Sequence, residues 1–404
     1  MTDIKLSICV PTFNRARYLE SLLQSLQQQM GLFPWPVEVI VSDNASDDET
    51  PEVIKSMQGH LRLRCLTQSE NIGALRNIQK AMRAATGEYA VYLADDDRLV
   101  PEALIRAVAQ LDAMPSAVTL YAPWNSVDLV TGDEGGPFYC QPKTMCIAKG
   151  DYAGLLRHVL DHSVFAEISI VRVSALRHLT PVANDIAFWA FTVPCEYLGF
   201  GDVIFSHEPF YLSVGRHFVG EYRARLGHDE VKIGWDKYRG GLEHLFGMAL
   251  QQGGVENSQN LRLKAENIIT NRMLVALRLR MNQGADPIET YALAARVRGQ
   301  GQAGLLADRM DQIRLAAALQ YICVLLPDVL QAEGVAVIGS CPPATMEALA
   351  GIASAPLREV RDAEDIRASD IVFNLGDAGD PLHVAAAQTA LVALTEGDLM
   401  RKFA

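Results

Sequence analysis

Hydrophobic and polar positions alternate along the first part of the chain in a pattern that predicts a sheet covered by helices. Short apolar runs, each about as long as a strand, are separated by longer segments in which apolar residues recur at helical spacing. This alternation is typical of an α/β domain with a mostly parallel sheet. Strands are predicted at residues 6–10, 37–42, 61–66 and 89–93, and helices at residues 73–85 and 101–111.

The pattern of apolar and turn-forming residues changes twice in the remainder of the chain. Residues 117–150 are rich in turn formers, and mixed elements resume up to about residue 213. From there to residue 330 the apolar spacing is mostly helical, and the last 70 or so residues indicate a strand, a helix and two more strands. These shifts predict a large α/β domain at residues 1–220, a helical domain at residues 221–332 and a small Rossmann-like α/β unit at residues 333–404.

The overall charge argues against a nucleic-acid partner. The chain has 36 basic and 48 acidic residues, which gives a net charge of -12. Binding to a nucleic-acid backbone depends largely on basic surface, so no nucleic acid is expected among the partners. A length of 404 residues with 49% hydrophobic residues predicts several packed domains rather than a small binding module.

The cysteines and the N-terminal residues bear on the compartment. The seven cysteines are widely spread and include no CxxC pair, so free thiols in a reducing compartment are expected rather than a zinc site. The N-terminal residues lack a signal-peptide pattern, and no uninterrupted apolar run approaches the roughly 18 residues of a membrane span. We therefore expect a cytoplasmic protein, and peripheral contact with the inner face of the membrane is left open.

Polar clusters follow several of the predicted strands. In open α/β sheets, ligands bind at the carboxyl ends of the strands, so these clusters are candidate site residues. Three consecutive carboxylates, Asp95, Asp96 and Asp97, directly follow an apolar strand and would repel one another unless a cation offsets their charge. Mg²⁺ or Mn²⁺, held by one or two carboxylates and by phosphate oxygens, is the natural partner. The alternative is a solvated turn before the helix that begins at Pro101.

A segment between the acidic clusters favours the functional interpretation. Gly73 permits a tight turn, and Arg76 falls in the first turn of the helix that follows. A basic residue at that place is unfavourable for the helix dipole, which makes a purely structural role less satisfactory. A contact between Arg76 and a phosphate or a base would explain the position.

Three stretches of the chain resemble family 2 of the glycosyltransferases, which has the GT-A fold. They are LSICVPTFNRARYLESLLQSL, VEVIVSDNASDDET and ENIGALRNIQKAMRAATGEYAVYLADDD, in the family's order and spacing over about residues 5–115. The resemblance implies that Thr12 and Asp43 contact the base of a nucleotide, usually uracil. The donor-binding residues expected on this basis are Pro11, Thr12, Phe13, Arg15, Asp43, Asn71, Arg76 and Asp95.

The resemblance also implies a metal site, with one departure from the family's pattern. The acidic motif normally begins with Asp where this chain has Ala94, which leaves Asp95 near the ribose and phosphate and Asp96 as the principal metal ligand. Asp97 is expected to compensate for the missing carboxylate. The stretch HEPFYLSVGRH resembles the segment that closes over the diphosphate, so His217 is a further candidate ligand.

A second carboxylate is expected to act as the general base. Inverting transfer needs such a base because the attacking oxygen loses its proton as the sugar–phosphate bond breaks. The segment VANDIAFWAF resembles the family's acidic helix start and places Asp185 at the base position, although Asn184 stands where the family usually has Glu. The alternative role for Asp185 is the N-cap of the helix that follows, and the two roles are compatible.

These observations together predict a metal-dependent, inverting glycosyltransferase. The expected donor is a nucleoside-diphosphate sugar, with UDP as the first choice, and the expected acceptor is a hydroxyl on a glycan, a lipid or a protein. A non-catalytic sugar-nucleotide-binding or scaffold subunit is the alternative, which the departures at Ala94 and Asn184 keep open. Trp124 and Trp189 are candidates either for stacking on a sugar face or for the core. Self-association as a homo-oligomer is also left open.

Overall fold

The computed structural model describes residues 4–178, 186–220, 226–255, 258–301, 303–306 and 309–404. Contacts within the chain divide it into two compact units. The first unit comprises residues 1–225 and 234–269, and the second comprises residues 226–233 and 270–404. The predicted boundaries of the three domains stay predictions.

The first unit contains the four strands that the apolar pattern predicts, and their ends differ from the predicted ends by two residues or fewer. The pattern succeeds here because β-branched and aliphatic residues fill both faces of buried parallel strands. The strands of this unit are β1 (Leu6–Thr12), β2 (Val37–Asp43), β3 (Leu63–Thr67), β4 (Tyr89–Tyr92), β5 (Arg98–Leu99), β6 (Ala117–Ala122), β7 (Trp124–Asp128), β8 (Glu134–Pro137), β9 (Met145–Ile147), β10 (Ile168–Arg172), β11 (Asp202–Phe205) and β12 (Tyr211–Arg216).

The central sheet of the first unit has eight strands in the order β3-β2-β1-β4-β10-β6-β11-β9. The strands β3, β2, β1 and β4 run parallel to one another, and β6 runs parallel to β11. The strand β10 is antiparallel to both β4 and β6, and β9 is antiparallel to β11. A second sheet has the order β5-β12-β7-β8. The carboxyl ends of β1, β2 and β4 therefore meet at one edge of the central sheet.

Helices pack against the sheets through apolar stripes, as the leucine spacing predicts. In the first of them, Leu19, Leu22, Leu23 and Leu26 are buried against the strands. The α-helices of the chain are α1 (Ala16–Gln29), α2 (Thr50–Met57), α3 (Ala74–Arg83), α4 (Pro101–Ala113), α5 (Tyr152–His162), α6 (Val173–His178), α7 (Trp189–Phe200), α8 (Leu226–Gln252), α9 (Ser258–Asn282), α10 (Pro287–Gly299), α11 (Met310–Gln320), α12 (Leu326–Leu330), α13 (Pro343–Ala350), α14 (Pro381–Thr389) and α15 (Glu396–Lys402).

A buried carboxylate ties the amino ends of the central strands together. Glu38, on β2, accepts hydrogen bonds from Ser7 Oγ at 2.6 Å and from the backbone and hydroxyl of Thr86 at 2.8 and 2.7 Å. Although burial raises it, these hydrogen bonds hold the pKa of Glu38 below its usual value. The backbone N–H of Gly87 donates to Ser7 Oγ at 2.9 Å, and a Cβ at Gly87 would lie only 3.1 Å from the backbone of Leu6.

The second unit contains a smaller parallel sheet, which confirms the predicted C-terminal α/β unit. Its strands are β13 (Gly334–Ile338), β14 (Leu357–Val360), β15 (Asp370–Asn374) and β16 (Val392–Thr395), in the order β14-β13-β15-β16. The sequence pattern missed β16 together with the helices before and after it. Those three elements bury few side chains, so the apolar spacing that marks a buried element is weak there.

One helical stretch, Met310–Leu330, is long and apolar enough to cross a membrane by length and composition alone, with a mean hydropathy of 1.7. It consists of α11, a π-helical turn at Tyr321–Leu325, and α12. Ile322 and Cys323 on this stretch pack with Val335 and Leu399 of the C-terminal sheet and its last helix. The stretch thus has a packing partner within its own unit, which accounts for part of its apolar character.

Candidate active site

The candidate site lies at the edge of the central sheet where the carboxyl ends of β1, β2 and β4 meet. Thr12 and Asp43 are the last residues of β1 and β2 and pair with each other in the parallel register. The acidic triplet begins three residues after β4 ends. Parallel pairing therefore brings together the polar clusters that the sequence places tens of residues apart, at the position where open α/β sheets bind ligands.

Asp95 is held inside this edge by Thr12. The hydroxyl of Thr12 donates to Asp95 Oδ2 at 2.8 Å, and only 7% of Asp95 is exposed. Burial, followed by the negative charge of Asp96, raises the pKa of Asp95 to about 7, against the opposing effects of Arg15 and Thr12. Asp95 is therefore a carboxylate whose ionised form is poorly stabilised by its surroundings.

Arg15 places a positive charge against the acidic pair. Its guanidinium donates to Asp96 Oδ2 and lies 3.6 Å from Asp95 Oδ1. Although burial lowers it, the charges of Asp95 and Asp96 raise the pKa of Arg15 above its usual value. The guanidinium is thus a stand-in cation between the two carboxylates, and this donor set fits a hard divalent cation.

Asp97 points to a different partner. The hydroxyl of Tyr211 donates to Asp97 Oδ2 at 2.7 Å, and the backbone N–H of Val214 donates to Asp97 Oδ1 at 2.7 Å. The same tyrosine hydroxyl accepts a hydrogen bond from the backbone N–H of Ala94 at 3.1 Å. These contacts give Asp97 a structural role, since they attach the acidic loop to β12. Its assignment as a metal ligand stays a prediction.

Side-chain hydrogen bonds hold the loops after β1 and β2 in place. Asn14 has a left-handed backbone with φ of 51°, its backbone N–H donates to Ser46 Oγ at 2.9 Å, and its side-chain oxygen accepts from the Asp47 backbone at 2.9 Å. Asp43, which is 1% exposed, accepts from the backbone of Ser46 at 3.1 Å. The two predicted base contacts, Thr12 and Asp43, therefore lie on a preformed surface rather than on free loops.

A chain of amide side chains extends this surface toward α3. Asn71 accepts from the side chain of Asn44 at 2.8 Å and from the backbone of Gly73 at 2.9 Å, where φ is 85°. Asn77, which is 2% exposed, donates to the Ser42 carbonyl at 2.8 Å and accepts from the Ser42 hydroxyl at 2.7 Å. Sequence reasoning assigned no role to Asn44 or Asn77, although a polar amide on the apolar face of α3 was a signal for one.

The remaining donor-binding candidates border the site from the surface. Arg76 is exposed on the first turn of α3, Phe13 is 40% exposed, and Pro11 is half-buried. Asp43 also lines a cavity of about 200 Å³ between α2 and the ends of β2 and β3. The other residues that line this cavity are Pro51, Ile54, Lys55, Gln58, Cys65 and Thr67.

His217 packs beside the site rather than among its carboxylates. It is 7% exposed, and its ring meets the ring of Tyr18 edge to face at 5.1 Å. The neighbouring Arg216 forms an ion pair with Asp128 at 2.8 Å. In the described part of the chain, no group of three or more His, Cys, Asp or Glu side chains converges as a metal site. The role of His217 as a ligand stays a prediction.

Asp185, the predicted general base, lies outside the described residues. The segment that follows it is held by α8: the backbone N–H of Phe188 donates to the Lys237 carbonyl at 2.8 Å. Gly240 makes a close approach to the same segment, since a Cβ there would lie 2.0 Å from the Ile186 carbonyl oxygen. The chain immediately after Asp185 is therefore anchored to a helix of the same unit.

The fold and the site define an α/β domain that presents polar and acidic side chains at the carboxyl ends of parallel strands. Residues 7–153 match the sequence model of the family described as glycosyl transferase family 2. This match confirms the resemblance seen in the sequence of the N-terminal region.

Individual relatives are similar to this chain over the same region. An abequosyltransferase, RfbV, of Salmonella typhimurium is 34% identical over 110 residues, which cover 27% of this chain and 33% of the relative. A poly(ribitol-phosphate) beta-N-acetylglucosaminyltransferase, TarS, of Staphylococcus aureus is 35% identical over 121 residues, covering 29% of this chain and 20% of the relative.

A third relative is the GalNAc(5)-diNAcBac-PP-undecaprenol beta-1,3-glucosyltransferase of Campylobacter jejuni, which is 38% identical over 102 residues. That match covers 25% of this chain and 32% of the relative. The chain thus matches a third or less of the length of each of these three proteins.

Proposed function

We propose that this chain is an inverting glycosyltransferase that moves a sugar from a nucleoside-diphosphate sugar to an acceptor hydroxyl. The observation that carries the proposal is the buried contact between Thr12 and Asp95, with Arg15 against Asp95 and Asp96. It joins two strand ends at the ligand-binding edge of an α/β sheet, inside the region that matches the model of glycosyl transferase family 2.

The nucleotide of the donor is expected to be UDP. Thr12 and Asp43 are proposed to contact the base, and the cavity beside Asp43 offers space next to them. Arg76 is proposed to approach the nucleotide from the opposite side. The donor sugar is not inherited from the relatives, because their names specify three different sugars for the same matched region.

A divalent cation, Mg²⁺ or Mn²⁺, is proposed to bind at Asp96 and Asp95. When bound, it would stabilise the negative charge that develops on the leaving diphosphate. Thr12 orients Asp95 by its hydrogen bond, and Asp97 fixes the acidic loop through Tyr211 and Val214. Arg15 holds the two carboxylates together when no other cation neutralises them.

Asp185 is proposed to accept the proton of the acceptor hydroxyl. In an inverting displacement the acceptor oxygen forms a bond to the anomeric carbon while the electron pair of the sugar–phosphate bond leaves with the diphosphate. The proton released from the acceptor oxygen then needs a base. The assignment of Asp185 rests on the sequence segment VANDIAFWAF.

The acceptor is proposed to be a sugar or polyol hydroxyl on a glycan or a lipid-linked glycan. The names of two relatives specify a poly(ribitol-phosphate) and an undecaprenol-linked saccharide, and we propose an acceptor of the same broad class for this chain. Work on a lipid-linked acceptor would place the protein at the inner face of a membrane. Cytoplasmic localisation, membrane contact and self-association stay predictions.

A calorimetric titration tests the proposed function. Nucleoside diphosphates and sugar nucleotides are titrated with and without Mn²⁺ into the wild type, into Asp96→Ala and into Asp133→Ala, which removes an exposed aspartate of the β7–β8 hairpin. We expect one nucleotide to bind in a metal-dependent manner, binding to be lost in Asp96→Ala, and Asp133→Ala to behave as the wild type.

The same protein samples separate an enzyme from a scaffold. Release of free nucleoside diphosphate from the bound sugar nucleotide would support transfer or hydrolysis, and binding without release over hours would favour a non-catalytic subunit. Absence of binding by every nucleotide would refute the proposed function as a whole.

A further inference from the structure

Glu167 lies at the same edge of the central sheet, one strand beyond the acidic loop. It directly precedes β10, which is antiparallel to β4 with Ile170 opposite Val91 and to β6 with Ile168 opposite Ala122. Glu167 lies three residues before Ile170, and Ala94 lies three residues after Val91, so the same register continued past the last pair would bring Glu167 beside Ala94. Neighbouring strands lie about 5 Å apart, so this half-buried carboxylate is close to the acidic loop.

The order of strands in the sheet relates the position of Glu167 to the proposed donor site. From β2 through β1 to β4, the edge carries the proposed base contacts Asp43 and Thr12 and then Asp95. The next strand in the sheet is β10. A nucleotide-sugar laid along this edge with its base at β2 and its diphosphate at β4 would place its sugar, and the acceptor, toward β10 and Glu167.

Electrostatics agree with this placement. Burial raises the pKa of Tyr92, and the charges of Asp97, Asp96, Asp95 and Glu167 raise it further. The carboxylate of Glu167 therefore acts on the same tyrosine as the acidic loop does.

A cluster of aromatic rings contacts Phe165, two residues before Glu167. Trp124 is stacked on Phe138, with ring centroids 4.3 Å apart and an interplanar angle of 14°. Phe138 is 44% exposed, and its ring meets the ring of Phe165 edge to face at 5.5 Å. Trp124 is also linked to the acidic loop, because it pairs in register with Tyr211 on β12.

A buried hydroxyl adds a second, independent observation. Tyr139, next to Phe138, is 5% exposed, and its ring meets Trp124 edge to face at 6.1 Å. Its hydroxyl hydrogen bonds to no group in the part of the chain that the structure describes. Burial and then the charge of Glu167 raise the pKa of Tyr139. A buried hydroxyl without a partner is unfavourable unless a ligand or a water satisfies it.

We propose that Glu167, Tyr139 and Phe138 form a binding site for a carbohydrate ring, the acceptor subsite of this protein. Phe138 presents its exposed face to the apolar face of a pyranose, while Glu167 and the Tyr139 hydroxyl hydrogen bond to hydroxyls of that sugar. Glu167 thereby orients the attacking hydroxyl toward the donor. This proposal rests on the proposed function, because the direction of the sugar follows from the position of the nucleotide.

The proposed subsite also bears on Ala94, where this chain departs from the family's acidic motif. The family's pattern has a carboxylate at this position, and Glu167 directly precedes the strand that neighbours β4. The sequence could not indicate this arrangement, since 73 positions separate the two residues along the chain and antiparallel β10 enters the sheet from the opposite direction.

Calorimetry with a panel of p-nitrophenyl glycosides tests the subsite on full-length protein saturated with Mn²⁺ and the nucleoside diphosphate that binds it. We expect at least one glycoside to bind the wild type. Glu167→Gln and Phe138→Ala should each weaken that glycoside about 10-fold or more, and Tyr139→Phe about 3- to 10-fold, since each removes one contact to the ring.

Two matched controls accompany these variants. Ser169→Ala changes the same strand two residues further from the edge, and Phe200→Ala removes a phenylalanine that is also 44% exposed. Both should bind the glycoside within about twofold of the wild type. Glu167→Asp keeps the charge and should recover part of the lost affinity. A second readout is hydrolysis of the sugar nucleotide, where water takes the acceptor's place, and Glu167→Gln should slow it.

The outcomes separate this proposal from the proposed function. Unchanged nucleotide affinity in Glu167→Gln with weakened glycoside binding supports the subsite. Loss of nucleotide affinity in Glu167→Gln would move this residue to the donor site and overturn the proposal, as would glycoside binding that is equal in all variants or absent from the wild type. Failure of the proposed function would instead appear as absence of nucleotide binding by the wild type.

Discussion

The two ends of the central sheet each bury a carboxylate, and the two carboxylates behave in opposite ways. Glu38, at the amino end, is 5% exposed, and Asp95, at the carboxyl end, is 7% exposed. Hydrogen bonds from Ser7 and Thr86 lower the pKa of Glu38 in spite of burial, whereas burial and a like charge raise that of Asp95 to about 7.

The difference shows how a structural carboxylate is told apart from a functional one on the same sheet. The donors around Glu38 all belong to the protein, so its charge is satisfied without a ligand. Around Asp95 the protein supplies one hydroxyl and a shared arginine, and it adds the negative charge of Asp96. Such an excess of negative charge favours either protonation of Asp95, which is why its pKa is raised, or the binding of a further cation.

Kinetics can decide whether Asp185, which lies outside the described residues, is a structural or a functional carboxylate. We expect its substitution to give the largest effect among these predictions. Asp185→Asn should lower turnover by about 10²- to 10⁴-fold, the range that a general base contributes. Nucleotide affinity measured by calorimetry should stay within about twofold. Unchanged turnover would remove Asp185 from the mechanism. The predicted alternative, a cap of the following helix, is wrong, because Phe188 is the N-cap of α7.

The next effect separates Asp96 from the carboxylate at the amino end. Asp96→Ala should weaken Mn²⁺-dependent nucleotide binding by more than about 100-fold, because losing even an indirect metal contact costs about 10- to 100-fold. Glu38→Gln should bind the nucleotide like the wild type. Equal losses in the two variants would mean that the comparison between the two ends of the sheet is wrong.

Glu38 should matter for the stability of the fold, although it should not matter for nucleotide binding. Glu38→Ala leaves the Ser7 and Thr86 donors buried without their acceptor, at a cost of about 1–3 kcal/mol for a group left unsatisfied. We expect the free energy of unfolding, measured in urea, to fall by about that amount. Asp133→Ala, at an exposed hairpin position, should change it by less than about 0.5 kcal/mol.

The smallest expected effect concerns pH in the metal-free protein. Since the pKa of Asp95 is about 7 in the folded state and near 4 when unfolded, the folded state binds the extra proton between these values, and stability falls as pH rises through them. The contribution of Glu38 to stability changes with pH in the opposite direction. Its lowered pKa stabilises the fold above about pH 4, and this contribution is lost as pH falls further.

The variant Asp95→Asn tests the direction in which Asp95 makes stability depend on pH. The variant should be more stable than the wild type by about 1 kcal/mol or more at pH 8 without metal. The gain should become small toward pH 4, where Asp95 is protonated in the folded state and about half protonated in the unfolded state. Urea midpoints measured from pH 4 to pH 8 check it. A loss of stability at pH 8 would show that the charge of Asp95 is well satisfied, which contradicts its assignment as an unsatisfied site group.

Much of the fold was predictable because it depends on local patterns. The first strands and α1 follow from runs and spacings of apolar residues, and the motif VEVIVSDNASDDET identified the family. The elements β16 and α14 were missed, since few of their side chains are buried and the apolar spacing there is weak. The antiparallel placement of β10 was also beyond reach, because strand order depends on contacts between distant residues.

The site was predictable by residue type and only partly by role. Thr12, Asp95 and Arg15 were identified, and the structure brings these three together. Asp97 was grouped with them because it is adjacent in sequence, yet its oxygens accept from Tyr211 and Val214 on another strand.

The sequence alone determined the α/β class, the family and the acidic edge, because local apolar spacing and short motifs carry that information. Only the tertiary structure decided which carboxylates share the Arg15 guanidinium, which one holds a loop, and which strand neighbours β4. Those relations depend on strand order and register, and each joins groups that are far apart along the chain. Glu167 illustrates the limit, since nothing in its own neighbourhood along the chain marks it, and the sheet alone brings it to the site.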